Sequence, residues 1–553
     1  MTPARTENKP PGRPPDRLVR SAGIVSIAIA MSRVTGLVRE MVFARFFGAG
    51  LIYDAFSVGF RIPNLTRDLF AEGALSSAFV PVFTKYLTTR GKAEARELYN
   101  LVATTLILVV GALCVLGMIF SPQLVDLFAH AFHKVPGKFE LAVTLTRIMF
   151  PFLLLVALAA QAMGVLNSTG QFGVPAVSST FFNLGSVFFG LILGFLIGPR
   201  IGMRPIYGMA WGVVIGGALQ LGFQLPSLVR KGFAYRPELS RTHAGLRNVM
   251  RLMGPAILGN ASVQINVFVN TNFASGITDA AGHVINGPVS WLNYAFRFMQ
   301  LPLGLFGVSI ASATLPSISR SAAAGDMDEF RTTLSRSIAM TLLLSIPSAA
   351  GLIVLGRSMI GLIYQHGRFK ASDTDQTALA LSCYAIGLAG YAALKVLAPA
   401  FYALNDARLP MIVSVASILV NYGMASLLIR RGHLGHAGLA LSTSTVALFG
   451  FVVLLIAMRK RIHGIRGRKL WDTLWKVCVA TAVMSAVCFA SSRSLAYWLG
   501  EHQRTYLLDV LISSPLGLGV FYFTAQSLRI EELDAARRAL AGPVGRMLRL
   551  RVK

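Results

Sequence analysis

The sequence predicts an all-α polytopic membrane protein, and three observations carry that reading. Mean hydropathy is +0.61, and only 14% of residues are charged against 54% hydrophobic, where soluble domains carry about 25% charged residues. Apolar stretches recur along most of the 553 residues, each roughly the 20 residues that a helix needs to cross a bilayer. They are continuous rather than alternating in period two, which favours a helical bundle over a barrel.

The elements follow in order. Residues 1–21 are rich in Pro and Arg and read as a basic tail on the cytoplasmic side. They lack the small-residue cleavage site of a signal peptide. About fourteen spans are expected after the tail: 22–46, 54–84, 99–120, 142–166, 177–197, 206–228, 250–275, 287–317, 335–356, 376–398, 408–429, 436–458, 472–493 and 505–528. The second and eighth contain Pro63 and Pro302, so each is expected to kink or break where neighbours or water satisfy the freed carbonyls. Residues 531–553 form a second basic tail.

Loop charge sets the expected orientation. The net charge is +28, from 52 Lys+Arg against 24 Asp+Glu. Basic clusters occupy the amino-terminal tail and alternate loops, for example Lys85, Arg90, Lys92 and Arg96, and later Arg459, Lys460 and Arg461. The opposite loops are poorer, although Lys134, Lys138, Arg200, Arg204, Arg368 and Lys370 are exceptions. This bias places both termini in the cytoplasm. It also accounts for the positive charge without nucleic acid, for which no aromatic-basic platform is present.

An internal repeat is visible at an offset of roughly 235–240 residues. LFAEGALSSAFVP from Leu69 resembles LFGVSIASATLP from Leu305, LVDLFAHAF from Leu124 echoes MIGLIYQHGRF from Met359, and VLNSTGQFGVP from Val165 echoes ALNDARLP from Ala403. Six spans per copy preserve orientation, so two parallel six-helix lobes are expected, with a site between them. The lobes are 22–248 and 249–460, and the last two helices, within 461–530, stand outside the duplicated core.

Arginines inside apolar helices are the strongest chemical signal. Each costs roughly 2.5–3.5 kcal/mol at a bilayer centre on insertion scales, so it persists only facing a protected or watery interior. The first span carries Arg33, Arg39 and Glu40, with Arg33 and Glu40 on nearly one face. The second supplies Asp54, Arg61, Asn64, Arg67, Asp68 and Glu72. The eighth holds Arg297 with no acid in its span, only Asn293 and Gln300 nearby, and Lys395 lies near the end of another. Guanidinium groups recognise phosphate through planar paired donors. The other reading of Arg39–Glu40 and Arg67–Asp68–Glu72, and of Arg61 and Asp54, is internal ion pairs that fasten helices or side chains that snorkel.

Enzyme signatures are absent: there is no Walker loop, HExxH, CxxC pair or nucleophile elbow. No cofactor or metal is expected. Cys114, Cys383, Cys478 and Cys488 lie in apolar runs and read as packing residues. His130, His133, His366, His433 and His436 lie in or beside loops. Gly-rich segments in the spans read as close helix contacts.

SRVTGLVRE, FGAGLIYDAF, RIPNLTRDLFAEGALSSAFVPVF, MGPAILG and KVLAPAFYALNDARLP together resemble the MurJ-type (MviN) lipid II flippases, within the multidrug/oligosaccharidyl-lipid/polysaccharide exporter superfamily. The resemblance covers essentially the whole chain. It implies two lobes forming a V around a cationic cavity and a groove for the undecaprenyl tail on the last two helices. It implies transport of undecaprenyl-pyrophosphate-disaccharide-pentapeptide from the cytoplasmic to the periplasmic leaflet of the bacterial inner membrane, by alternating access. The family's cavity arginines fall on Arg33, Arg39, Arg67 and Arg297, and its acids on Glu40, Asp54 and Glu72. The residues of this chain add Arg61, Asn64, Asp68, Gln300 and Lys395 as candidate supporting positions.

The sequence departs from well-known members at Gln300, where they have a glutamate. It departs again at Asn270, where some relatives have an aspartate implicated in sodium binding, so no sodium site is assigned. Coupling to membrane potential or to a monovalent ion is left unassigned. The partners implied are lipid II, the phospholipid membrane and cell-wall synthesis proteins, with a monomer as the working unit. The rival readings are a polysaccharide-precursor flippase or drug exporter of the same superfamily, a membrane-embedded polyprenyl-phosphate transferase, and a scaffold. The first usually has twelve spans, the second needs an acid cluster at a membrane face, and the third does not need buried arginines.

Overall fold

The computed structural model describes residues 15–69, 75–240, 242–464 and 467–534. Helices make up nearly all of them, and among the described residues the only paired extended backbone is a single bridge between Thr278 and Val284. In chain order the helices are α1 (Pro15–Phe47), α2 (Leu51–Arg67), α3 (Ser76–Thr89), α4 (Lys92–Ile119), α5 (Ser121–Ala129), α6 (Lys138–Met149), α7 (Phe152–Ser168), α8 (Gly173–Leu191), α9 (Pro205–Gly222) and α10 (Leu225–Arg230). They continue as α11 (Ala244–Ser275), α12 (Pro288–Pro302), α13 (Ser309–Ala324), α14 (Met327–Tyr364), α15 (Ala371–Ile386), α16 (Leu388–Ala403), α17 (Arg408–Arg430), α18 (Gly435–Arg461), α19 (Gly467–Leu499) and α20 (Gln503–Ser527).

Among the described residues, ten helical stretches are long and apolar enough to cross a bilayer, or twelve if two bent pairs each count as one span. These match expected spans three to fourteen. The first two expected spans fall on α1 and on α2 with α3, which flank the undescribed residues 70–74. The count of fourteen is therefore not reached among the described residues.

The contacts divide the chain into two compact units. The first comprises the described parts of Met1–Val42, Phe60–Ser121 and Thr144–Leu258. Its core joins α3, α4 and α7 around Phe79, Phe83, Leu98, Leu153 and Leu166, with Phe233 beneath. Helices α8 and α9 meet differently. In lipid there is little hydrophobic gain in pairing helices, so association rests on close packing of small residues. Gly208, Gly212 and Gly216 put one bare face of α9 against Ser186, Gly190 and Gly194: a Cβ on Gly212 would sit 2.4 Å from the Ser186 carbonyl oxygen, and one on Gly208 2.2 Å from the Gly194 nitrogen. These glycines serve helix contact, as the sequence predicts.

The second unit comprises Phe43–Gly59, Pro122–Val143 and the described part of Gly259–Lys553. Leu334, Ile338, Leu397 and Phe401 centre one core, on α14 and α16. A second core, around Leu343, Val477, Ala480 and Phe521, seats α19 and α20 on α14. The eighth span runs as one helical stretch from Pro288 to Ala324 and is irregular at Pro302, which lacks an N–H and whose ring crowds the preceding turn: a π-helical turn, Leu303–Val308, follows it before α13 resumes. In the other copy of the repeat, residues 68–69 and 75, on either side of the undescribed residues 70–74, also take π-helical backbone.

Segments far apart in sequence meet at one end of this second unit. Gly48 (φ +69) and Gly367 (φ +62) adopt left-handed backbone that only glycine takes without strain, and each presses against the other strand of chain. A Cβ on Gly367 would lie 2.3 Å from the Arg45 carbonyl oxygen, which also accepts the Arg368 N–H at 3.0 Å. Tyr294 Oη donates to the Gly48 carbonyl at 3.3 Å.

Candidate functional site

In the first unit, α1 places Arg33 on an exposed position and Arg39 on a buried one. Arg39 Nη2 donates to Glu40 Oε1 at 2.9 Å. Its guanidinium carbon lies 5.5 Å from the ring centre of Phe182 and 6.0 Å from that of Phe60, within cation–π range. Arg67, at the end of α2, is half-buried and donates through both Nε (3.2 Å) and Nη2 (2.9 Å) to one oxygen of Asp68. Arg61 and Asn64 are half-buried on the same helix. Glu72 lies outside the described residues. The ion-pair reading of Arg39–Glu40 and Arg67–Asp68 is thus realised in this conformation, using neighbours in sequence. Such a pair occupies the guanidinium with one carboxylate, which an incoming anion of higher charge can displace using the same donors.

In the second unit, α12 presents Arg297 and Gln300 at exposed positions, one turn apart, and α16 exposes Lys395. Asp54 takes a different place from the arginines. It is fully buried, and its carboxylate accepts Lys138 Nζ at 2.9 Å, Gly287 N–H at 2.8 Å, Ser290 N–H at 2.9 Å and Ser290 Oγ at 2.5 Å. Those backbone donors are the free N–H groups at the start of α12, so Asp54 caps a helix more than 230 residues away in sequence, where negative charge also suits the helix dipole. Lys138, equally buried, completes its set with Asn286 Oδ1 at 2.8 Å and the face of Phe132 at 4.3 Å. Lys138 went unassigned in the sequence, yet it carries a signal there: it violates the loop-charge bias, and the structure shows why, since its charge is neutralised inside the protein.

Two further polar groups are assembled by the second unit alone. Asp509, on α20 and buried, accepts hydroxyl hydrogen bonds from Ser358 on α14, Ser492 on α19 (2.7 Å) and Ser513 (2.6 Å). A lone acid in the last apolar run is its sequence signal. Asn270 donates to Thr443 Oγ1 and accepts from Asn421, both at 3.0 Å, while Ser442 donates to Asn421 Oδ1 at 2.8 Å. This amide and hydroxyl network is neutral.

The cysteines are free, and Cys114 and Cys488 are buried. His436, the second residue of α18, lies beside a loop as expected but is buried rather than solvated, bonded through Nε2 to the Gln376 carbonyl at 2.9 Å. His130 and His133 converge on Asp126 outside the membrane-spanning helices. Hydrogen bonds from His130, then from His133, hold that carboxyl below its ordinary range.

Many apolar helices with guanidinium groups set among them define the class, a multi-pass membrane transport protein. The chain belongs to the lipid II flippase MurJ family, whose model matches residues 43–508. A lipid II flippase MurJ of Burkholderia cenocepacia is 35% identical over 80% of this chain and 84% of its own. A probable lipid II flippase MurJ of Vibrio cholerae is 33% identical over 94% and 98%. Among solved structures, a lipid II flippase MurJ in an inward closed conformation superposes with a TM-score of 0.74 at 26% identity, covering 91% of this chain and 99% of that one. An inward-facing multidrug resistance MATE family transporter of the MOP superfamily shares the fold, with a TM-score of 0.61 at 15% identity over 77% and 98%.

Proposed function

We propose that this chain is a transporter that moves lipid II, the undecaprenyl-pyrophosphate-linked disaccharide-pentapeptide, from the cytoplasmic to the periplasmic leaflet of the bacterial inner membrane by alternating access. The observation that carries the reading is the set of arginines retained on apolar helices of a chain that belongs to this family along most of its length. A pyrophosphate diester leaving water needs compensating cations with paired donors. Arg33, Arg39, Arg67 and Arg297 supply them in our reading, with Glu40 and Asp68 as the acids that hold Arg39 and Arg67 when substrate is absent. The polyprenyl tail stays in lipid, where it costs nothing to solvate. Membrane potential can bias such a cycle by about 2.3 kcal/mol per charge per 100 mV.

Both termini lie in the cytoplasm on this reading. The charge bias supports it, and so does the burial of Lys138, which removes one exception from the opposite side. A monomer suffices, and cell-wall synthesis proteins are the partners expected to receive the product.

The test is depletion of the chromosomal protein with complementation by Arg33→Ala, Arg39→Ala, Arg67→Ala or Arg297→Ala, scoring protein level and lipid II exposed on the outer face. Variants inserted at normal level are expected to fail in both growth and exposure. Restoration of both by all four refutes the assignment of the arginines.

A further inference from the structure

We propose that Asp126, His130 and His133 form a binding site for a divalent transition-metal ion, with zinc as the fitting ion, on the segment between α5 and α6. The spacings of four and seven residues bring the three side chains to one face of the last turn of α5 and the tight turn that follows, His130–Lys134. Asp126 Oδ1 lies 2.8 Å from His130 Nδ1 and 3.0 Å from His133 Nε2, and all three ligand atoms fall within 4.8 Å of one another. Zinc bonds imidazole nitrogen and carboxylate oxygen at about 2.0–2.2 Å, which puts tetrahedral ligands about 3.4 Å apart. Moving Asp126 Oδ1 by roughly half an ångström from each ring, and bringing the two ring nitrogens, which lie within 4.8 Å of each other, to the same spacing, seats the ion.

The donors choose the class of ion. Two imidazoles and one carboxylate suit zinc, nickel or copper, whereas magnesium and calcium want oxygen. All three ligands reach solvent, leaving a fourth position for water.

The scaffold is rigid where a surface cluster formed by chance would not be. Phe128, Ala129 and Phe132, interleaved with the ligands, are buried. The His133 ring stacks on Phe139 with centres 3.7 Å apart, and the Leu127 carbonyl accepts Asn272 Nδ2 at 3.1 Å. Phe132 also carries the ammonium of Lys138 on its face. An ion gripping the histidines on either side of Phe132 thus braces the Lys138–Asp54 pair, which gives the site a structural consequence.

Zinc chloride is titrated calorimetrically into the tag-free full chain in detergent, with magnesium chloride as control, and melting is followed with and without zinc. The wild type is expected to take up one equivalent of zinc at this site, to ignore magnesium and to melt several degrees higher with zinc. A His130→Asn/His133→Asn variant is expected to lose that equivalent and the shift, and Asp126→Asn to bind at least tenfold more weakly. Each variant is compared only where its zinc-free melting matches the wild type, and Asp126→Asn alone serves if the double variant does not. A wild type without zinc uptake, or variants that titrate like it, overturns the proposal.

Discussion

At the scale of single residues, Asp54 shows how much a carboxylate's meaning depends on partners remote in sequence. It is buried with four donors, one of them a lysine brought by α6. Removing one member of a buried pair strands the other charge, which typically costs 3–5 kcal/mol, or about that, whereas removing both costs much less. Lys138→Met is accordingly expected to lower melting strongly in detergent, and Asp54→Asn combined with Lys138→Met to recover part of the loss. Equal melting of Lys138→Met and wild type would show that the pair fastens nothing. The arginine positions were legible from hydropathy alone, because a charge in an apolar run is conspicuous. Their pairings were legible only where the partner is the next residue, as for Arg39–Glu40 and Arg67–Asp68. Lys138–Asp54 spans 84 residues, a distance at which composition and periodicity carry no information.

At the scale of elements, α8 and α9 are held by absence of side chains. Gly212→Val places atoms where the Ser186 carbonyl already stands, and overpacking of this kind costs about 1–3 kcal/mol. Gly222→Ala, which meets open space at the end of α9, is expected to melt like the wild type. If the two variants melt alike, backbone contact is not what pairs these helices. The last two helices are fastened at the loop that connects them as well, where Arg357 of α14 donates to Asp375 at 2.7 Å and to both oxygens of Glu501. That hydrogen bonding lowers the pKa of Glu501 from its ordinary 4.5. A depressed carboxyl stabilises the fold above its unfolded pKa, and the contribution is lost as pH falls through the folded value. The melting temperatures of wild type and Glu501→Gln are therefore expected to differ near neutrality and to converge below pH 4.5. The difference is small, because both partners are about half exposed and screened by water. A gap that persists in acid would assign it to something other than this ion pair. An irregularity at Pro302 was readable from the sequence; its π-helical form, Leu303–Val308, was not, since a proline signals only a lost N–H and a crowded turn.

For the whole molecule, orientation is the property that the charge pattern addresses most directly. In a cysteine-free background, Asp279→Cys is expected to react with a membrane-impermeant maleimide added to intact cells with a permeabilised outer membrane. Asp328→Cys is expected to react only after lysis. Both positions are solvent-exposed, so the reverse pattern would invert the proposed topology.

The sequence by itself determined the helical membrane class, the approximate spans, the duplication and the arginines, because each is written in local hydropathy or in a fixed offset along the chain. The tertiary structure decided which charges are neutralised and by what. It paired Lys138 with Asp54, gave Asp509 three serine hydroxyls, set Asn270 in a neutral network and drew Asp126, His130 and His133 to one point. Those outcomes depend on which side chains a folded chain brings within about 3 Å, the range over which hydrogen bonds act, and no pattern along one dimension records that distance.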